Sequence, residues 1–273
     1  MTGPAGPTDW ERLPSGRLVF GPDAVGLVPV GATEQHGPHL PTGTDTVIAT
    51  AVCAGAARRT GAVVLPAIAV GCSFGHGRDI PGTLSLSPEL LAAVVRQYAE
   101  WAAASGLRRL LFLNAHMGNA AALGAGTDHL RLDRPDLRSG WTEWWELTPE
   151  LRAAMLREGQ DVHGNRAETA MMLHLAPELV DLAAAATADD EDRTAGLVFR
   201  YTVSALSRTG VTGRPSEATP ELGARLVEEA GAALAGLVER GRVEEPPVRR
   251  PPVRLLPVTR ELGDSTEKAP EIT

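Results

Sequence analysis

Four side chains of types that commonly bind metal ions occur within one short segment of the sequence. They are Glu34, His36, His39 and Asp45. The segment follows the apolar run Gly26–Val30 and is rich in Gly and Pro, which predicts a loop after a buried strand. Residues two positions apart on extended backbone point to the same side, so Glu34 and His36 can face a common centre. Such oxygen and nitrogen ligands are typical of zinc, manganese or iron sites.

Three further polar residues stand next to predicted elements. His116 directly follows the predicted strand Arg109–Asn114, and His163 precedes a predicted helix, Arg166–Leu175. Glu168 lies in the first turns of that helix, where it is either a ligand or an acid that stabilises the helix N-terminus. Ligands in parallel α/β proteins gather at the carboxyl ends of the strands, so His116 is either part of a site or a buried, hydrogen-bonded histidine.

The elements that would position these residues alternate along the chain. Strands are predicted at Gly26–Val30, Ala62–Val70 and Arg109–Asn114, and helices at Asp45–Arg59, Pro88–Ser105, Asn119–Leu132, Arg166–Leu175 and Pro220–Gly241. Hydroxyl caps, a proline in the first turn and a glycine stop mark the ends of several helices. Strands separated by helices predict an α/β fold with a mostly parallel sheet covered on both faces.

Composition excludes several classes of protein. The net charge of -8 argues against a nucleic-acid-binding protein, which needs a basic surface. Cys53 and Cys72 are too few for a disulfide framework, so we expect a reduced, cytoplasmic setting. The start of the chain has neither the basic nor the apolar region of a signal peptide, and no apolar run reaches membrane-spanning length.

The sequence also predicts how the chain divides. Residues 1–16 are expected to form a loose lead-in, and residues 17–242 a single catalytic domain. Residues 243–273 are rich in proline and charge, which predicts a partly disordered tail.

Several blocks of the sequence resemble the creatininase family, and they occur in the family's order between Gly26 and Leu237. The segment Thr33–Pro41 with Asp45 resembles its signature loop. The other blocks are Phe74–Leu86, similar to its substrate loop; Asn114-x-His116-x-Gly118-Asn119, similar to its Asn-Gly-His-Gly-Gly-Asn strand end; His163 with Glu168-Thr169; and the glycine turn Gly210–Ala218.

The resemblance implies a three-layer α/β/α fold, a homohexamer, and two divalent metal ions per chain. Zinc is the expected metal, with manganese or iron as alternatives. Glu34, Asp45 and His116 would hold one ion. His36, the bridging Asp45 and a further acid would hold the other. Creatininase itself has this acid where the present chain has Gly118, so Glu168 is the nearest replacement.

The same resemblance implies hydrolysis of a carbon–nitrogen amide bond by a metal-activated water molecule. His163 is the expected proton donor, since histidine titrates near neutral pH, and Glu168 belongs to the same catalytic centre. His76 is expected to hold the substrate. Trp144 and Trp145 either gate the site or simply pack a helix. We expect a small biosynthetic amide or a short peptide as substrate rather than creatinine, because no tryptophan directly precedes His163.

Two other functions remain as alternatives. The string Gly71-Cys72-Ser73-Phe74-Gly75 matches the nucleophile motif of serine hydrolases, although the residues after Ser73 do not predict the helix that this motif requires. A non-catalytic metal-binding scaffold is the second alternative, but none of the expected ligands is missing. No nucleotide-binding motif occurs in the sequence.

Overall fold

A computed structural model describes residues 8–248 of the chain and shows five parallel strands in one sheet. The strands are β1 (Thr8–Asp9), β2 (Val25–Val30), β3 (Val63–Val64), β4 (Arg109–Asn114) and β5 (Arg138–Glu143). Their order across the sheet is β1-β3-β2-β4-β5, so β2 lies in the middle. Val30 and Asn114 are partners at the carboxyl ends of β2 and β4, which therefore finish at the same level.

Eight α-helices connect and cover these strands within the described residues. They are α1 (Thr44–Thr60), α2 (Pro88–Ala104), α3 (Ala120–Asp133), α4 (Pro149–Met155), α5 (Arg166–Leu175), α6 (Leu182–Ala185), α7 (Val203–Leu206) and α8 (Pro220–Val243). Helices α1, α5 and α8 pack against one another, while α2 packs against α3. Helix α2 begins as the sequence predicts, because the Ser87 side chain accepts a hydrogen bond from the N–H of Leu90.

The alternation of side chains along the strands explains why both faces of the sheet are covered. Leu27 and Leu113 belong to the apolar layer under α1, α5 and α8. Val28 and Phe112, one position along their strands, belong to the opposite layer under α2 and α3. Because neighbouring residues of a strand point to opposite faces, two apolar layers form. The predicted three-layer arrangement with a parallel sheet is confirmed.

The predicted strand Ala62–Val70 is shorter than expected. The ladder contains only Val63–Val64, and then Pro66, which has no N–H to donate, interrupts it. Pairing resumes at Ile68, whose N–H donates to the carbonyl of Pro29 over 2.9 Å. Strand β5 was not predicted, since its six residues are all partly exposed and lack an alternating apolar pattern.

The predicted chain division stays a prediction. Thr8–Asp9, part of the expected lead-in, pair with β3 at the edge of the sheet. Helix α8 ends at Val243, next to the expected start of the tail. Residues 249–273, most of that tail, lie outside the described residues. Across residues 8–248, the helices are all too short or too polar to cross a lipid bilayer.

Candidate metal centre

The ends of β2 and β4 bring two predicted ligand segments together. The loop after β2 carries Glu34 and His36, and the residues after β4 carry His116. Asp45 lies in the first turn of α1, which begins where the β2 loop ends. All four side chains are at least nine-tenths buried. The fold therefore gathers these four ligand-type side chains at the carboxyl edge of the sheet, as the sequence predicts. We call Glu34, His36, Asp45 and His116 the ligand cluster, or simply the cluster.

A hydrogen-bonded asparagine network sets the shape of this edge. Asn119 donates to the carbonyl of Gly31 over 3.0 Å and to Asn114 over 3.1 Å, while it accepts from the N–H of Cys72 over 2.8 Å. Asn114 in turn donates to the carbonyl of His116 over 2.7 Å. The two asparagines thus connect the three loops. Sequence reasoning used them only as part of a motif and assigned them no role.

The backbone at Gly118 leaves no room for a side chain in this structure. A Cβ atom on this residue would lie 2.3 Å from the carbonyl oxygen of Cys72 and 2.4 Å from Nε2 of His116. Both distances are far inside van der Waals contact. A side chain at this position would require the Cys72 carbonyl or the ring of His116 to move. Because residue 118 is glycine, an acid for a second ion would have to come from another segment.

Glu168, the residue that the sequence offers as this acid, lies next to the expected ligands. Its carboxylate lies within 4.8 Å of the ring nitrogens of His36 and His163. The same residue also forms a capping box with Asn165: the Glu168 N–H donates to the Asn165 side chain over 3.1 Å, and Oε2 of Glu168 accepts from the Asn165 N–H over 3.3 Å. Glu168 therefore both caps α5 and faces the cluster.

Three carboxylate oxygens at this edge of the sheet have no hydrogen-bond partner among the described residues. Among the described residues, neither oxygen of Glu34 nor Oδ2 of Asp45 has an aligned donor, although both side chains are almost completely buried. Nδ1 of His116 lies 3.1 Å from Oε1 of Glu34 and 3.6 Å from Oδ2 of Asp45. Buried carboxylates without donors are costly unless a cation compensates them, so this donor set fits divalent metal ions.

Two histidines are held with one ring nitrogen directed at these carboxylates. His36 donates from Nδ1 to the Glu34 carbonyl over 3.1 Å, which leaves Nε2 at 3.0 Å from Oδ1 of Asp45. His116 donates from Nε2 to the Cys72 carbonyl over 3.0 Å, which leaves Nδ1 facing Glu34. Metal-binding histidines commonly have the second ring nitrogen bonded to a carbonyl in this way.

The charges of the cluster are strongly coupled. Burial alone would lower the pKa of His36, but Asp45 raises it to about 10. Burial likewise opposes the charge on His116, and Glu34 with Asp45 raises the pKa of that ring to about 9. Burial raises the pKa of Glu168 to about 7. Protons on the histidines thus balance the carboxylates, and a bound cation would replace those protons.

His163 differs from the expectation that it titrates near neutral pH. Burial, together with the charges of His36 and His76, lowers its pKa well below the usual value. Its Nε2–H donates to the Gln35 carbonyl over 2.5 Å, and Nδ1 lies 3.6 Å from Oε1 of Glu34. The ring is therefore neutral with a lone pair towards the cluster. It must accept a proton before it can donate one.

His39, the remaining imidazole of the β2 loop, is not part of the cluster. Its Nε2 lies 2.9 Å from Oγ1 of Thr169, behind the site. Burial and the charge of His36 lower the pKa of His39 to about 4, so the ring is neutral. His39 therefore packs the signature loop against α5 rather than facing the ligands.

Trp144 and Trp145 are buried in the apolar layer under α1, α5 and α8. Their exposed fractions are 0% and 2%, and their rings meet edge to face with centroids 5.7 Å apart. Both belong to the same buried apolar cluster as Leu151 and Met155. This arrangement agrees with the packing alternative, and a role of either ring in substrate binding stays a prediction.

Ser73 does not have the surroundings of a nucleophile. The residues after it form a single 3-10 turn, Phe74–His76, instead of the α-helix that the serine hydrolase motif requires. Its Oγ is buried and has no hydrogen-bond partner among the described residues, so no general base is in reach.

We expect Ser73→Ala to leave turnover within a few fold of the wild type in a steady-state assay. A complete loss of turnover would instead favour the serine hydrolase.

Comparisons with known proteins identify the family of the chain. The family model described as creatinine amidohydrolase matches residues 17–238. A mycofactocin precursor peptide peptidase from Mycobacterium ulcerans (strain Agy99) is 36% identical over 214 residues, which cover 74% of this chain and 80% of that protein. The chain belongs to the creatininase family. Membership confirms the prediction of a hydrolase that acts on carbon–nitrogen bonds.

Other members of the creatininase family extend the comparison. The creatinine amidohydrolase of Pseudomonas putida is 35% identical over 192 residues, 65% of this chain and 73% of that protein. A crystal structure of creatinine amidohydrolase superposes with a TM-score of 0.77 at 29% identity and covers 88% of this chain and 100% of its own. Two further structures, a mutant creatininase described as Zn-Zn type and a creatininase described as Mn, each reach a TM-score of 0.75 at 29% identity. They cover 86% and 87% of this chain and 98% and 99% of their own.

Proposed function

We propose that this protein is a dinuclear metal-dependent amidohydrolase. The observation that carries this proposal is a buried cluster in which unpartnered oxygens of Glu34 and Asp45 face the ring nitrogens of His36 and His116. The other ring nitrogen of each histidine is hydrogen-bonded to a backbone carbonyl. One ion would be held by Glu34, Asp45 and His116. The other would be held by His36, Asp45 and Glu168, with Asp45 shared between them. The zinc and manganese forms of related creatininases support a divalent metal ion. We propose zinc, with manganese or iron as alternatives.

The reaction we propose is the addition of water to an amide, which gives a carboxylic acid and an amine. Two bound divalent ions would supply a lowered pKa for water and a polarised carbonyl group. We propose that Nδ1 of His163 takes the proton from the attacking water. The lone pair of this nitrogen, which faces the cluster, supports the proposal. The same nitrogen then returns the proton to the leaving amine as the carbon–nitrogen bond breaks.

A short peptide is the substrate class that we favour over a small biosynthetic amide. Relatives of the chain are named as peptidases of a precursor peptide, which supports this choice. In the loop that carries His76, the exposed fractions of Phe74 and Leu84 are 60% and 62%. Apolar groups at this loop would suit the side chains of a peptide better than a compact polar amide.

The remaining properties implied by the resemblance are also proposals. We propose a homohexamer in the cytoplasm with no nucleic-acid or membrane partner. Cys53 and Cys72 are both buried free thiols, which supports a reducing environment.

We expect protein purified without chelator to contain two divalent ions per chain, measured by plasma mass spectrometry. Removal of the ions should abolish hydrolysis of short peptides or small amides, and zinc or manganese should restore it, since the ions activate the water. Chains that bind no ion at micromolar zinc or manganese would show that the proposal is wrong. Chains that bind both ions but hydrolyse nothing in a broad panel would favour the scaffold alternative.

A further inference from the structure

Four histidines lie at the cluster: His36, His76, His116 and His163. In each ring the inner nitrogen is the one nearer to the carboxylates, and the outer nitrogen is the one farther away. The rings differ in the group that is hydrogen-bonded to the outer nitrogen. In three of them a backbone carbonyl accepts from that nitrogen: Glu34 for His36, Cys72 for His116 and Gln35 for His163. A carbonyl can only accept, so the hydrogen of each neutral ring sits on the outer nitrogen. The inner nitrogen of each ring then presents a lone pair, as a metal ligand or a base requires.

His76 has the opposite arrangement. Its outer nitrogen, Nδ1, lies 3.0 Å from Nε2 of the Gln35 side chain. The orientation of that amide is fixed, because Oε1 accepts from the Gly37 N–H over 2.9 Å and Nε2 donates to the Gly210 carbonyl over 2.9 Å. An amide nitrogen only donates, so Nδ1 of His76 must accept. The ring hydrogen is therefore on the inner nitrogen, Nε2.

The inner N–H of His76 points into the site, where it lies beside the carboxylate of Glu34. Nε2 lies 3.2 Å from Oε2 of Glu34, yet that oxygen receives no aligned hydrogen bond. A ring nitrogen that carries hydrogen cannot bind a metal ion, although His76 lies close enough to Glu34 and His163 to complete a ligand set. His76 is thus built as a donor.

We propose that Gln35 is a positioning residue that fixes His76 as a hydrogen-bond donor to the substrate carbonyl oxygen. This inference rests on the proposed amide hydrolysis. As water adds to the carbonyl carbon, the oxygen gains negative charge, and a donor already oriented towards it stabilises that charge. Gln35 therefore acts on the reaction through the ring of His76.

The glycine turn Gly210–Ala218, one of the blocks that resemble the creatininase family, helps to position Gln35. Gly210 has a φ of +81°, and a Cβ atom there would lie 2.3 Å from Oε1 of Gln35. Only glycine leaves room for the Gln35 amide beneath the turn. The block Gly210–Ala218 thus supports the same side chain that orients His76.

The deciding variant is Gln35→Glu in the zinc-loaded protein. A carboxylate can still accept from Gly37 but cannot donate, so the hydrogen of His76 should move to Nδ1 and leave a lone pair on Nε2. Solid-state NMR of 15N-histidine-labelled protein reports the tautomer, with the His76 signal assigned by its loss in His76→Phe. We expect kcat to fall about 10²–10³-fold, with KM nearly unchanged and zinc content retained.

Two controls separate this role from a structural one. Ser207→Ala alters the same turn, because Oγ of Ser207 accepts from the Gly210 N–H over 3.0 Å, but it does not touch His76. It should leave the tautomer and kcat close to wild type. In a His76→Phe background, Gln35→Glu should cause no further loss of kcat, since the two residues act as one unit.

The outcomes are distinguishable from those of the proposed function. A wild-type His76 with its hydrogen on Nδ1 would overturn the inference even if the protein is a hydrolase. An unchanged kcat in Gln35→Glu, or an equal loss in Ser207→Ala, would overturn it as well. If the protein hydrolyses no amide, the proposed function fails, and the inference of a donor to the substrate fails with it. The NMR signal would then still report whether Gln35 sets the tautomer.

Discussion

Replacing His163 with alanine should lower kcat by about two to four orders of magnitude while both metal ions stay bound. The reason is the direction of the ring: Nε2 is committed to the Gln35 carbonyl, and Nδ1 faces the carboxylate of Glu34. Losing this nitrogen removes the group that moves the proton from water to the leaving amine. The measurement is steady-state kinetics together with metal content on the same preparation.

Two companion variants make this result specific. His163→Gln keeps a side-chain amide that can donate to the Gln35 carbonyl but cannot carry the proton, so it should be nearly as slow as His163→Ala. His174→Ala changes an exposed histidine on α5 and should alter neither kcat nor metal content. A His163→Ala protein that has lost an ion would mean that His163 is a ligand, which its distance to His36 and Glu168 would allow. The proton carrier would then have to be sought elsewhere.

The ligand cluster was predictable because its members follow predicted elements. Glu34 and His116 stand after buried strands that proved to be neighbours, so the parallel topology alone brings them together. The capping pattern Asn165-x-x-Glu168 is also readable from sequence, since it depends on local backbone geometry. That the same carboxylate faces His36 is not readable, because it depends on how α5 packs against the loop after β2.

The direction of each imidazole could not be predicted from sequence. Whether a histidine offers a lone pair or a hydrogen depends on the partner of its outer nitrogen, and those partners come from distant segments, such as Cys72 for His116. The low pKa of His163 could not be predicted for the same reason, because it results from burial and from neighbouring rings. Strand β5 was missed for a different reason: an edge strand that is half exposed carries little apolar periodicity.

Glu168→Gln should remove one metal ion and leave the other. Glutamine preserves the size of the side chain and its ability to accept from the Asn165 N–H, so the capping box and α5 should persist. What disappears is the anionic ligand beside His36. Loss of a residue that only hydrogen-bonds a metal ligand usually lowers metal affinity by ~10–100-fold, so loss of the ligand itself should lower it by at least that much. Glu34, Asp45 and His116 should keep the other ion.

If Glu168 served only the helix, the same change would have a different signature. Loss of a charge near a helix N-terminus costs about 0.3–1 kcal/mol of stability and would leave two ions bound. Glu158→Gln provides the matched control, because Glu158 is a buried carboxylate near Arg166 at the start of α5 but outside the ligand cluster. It should retain both ions. Metal titrations followed by calorimetry, with thermal unfolding of the same samples, would separate the two roles. A Glu168→Gln protein that still holds two ions at wild-type affinity would show that a different group completes the second site.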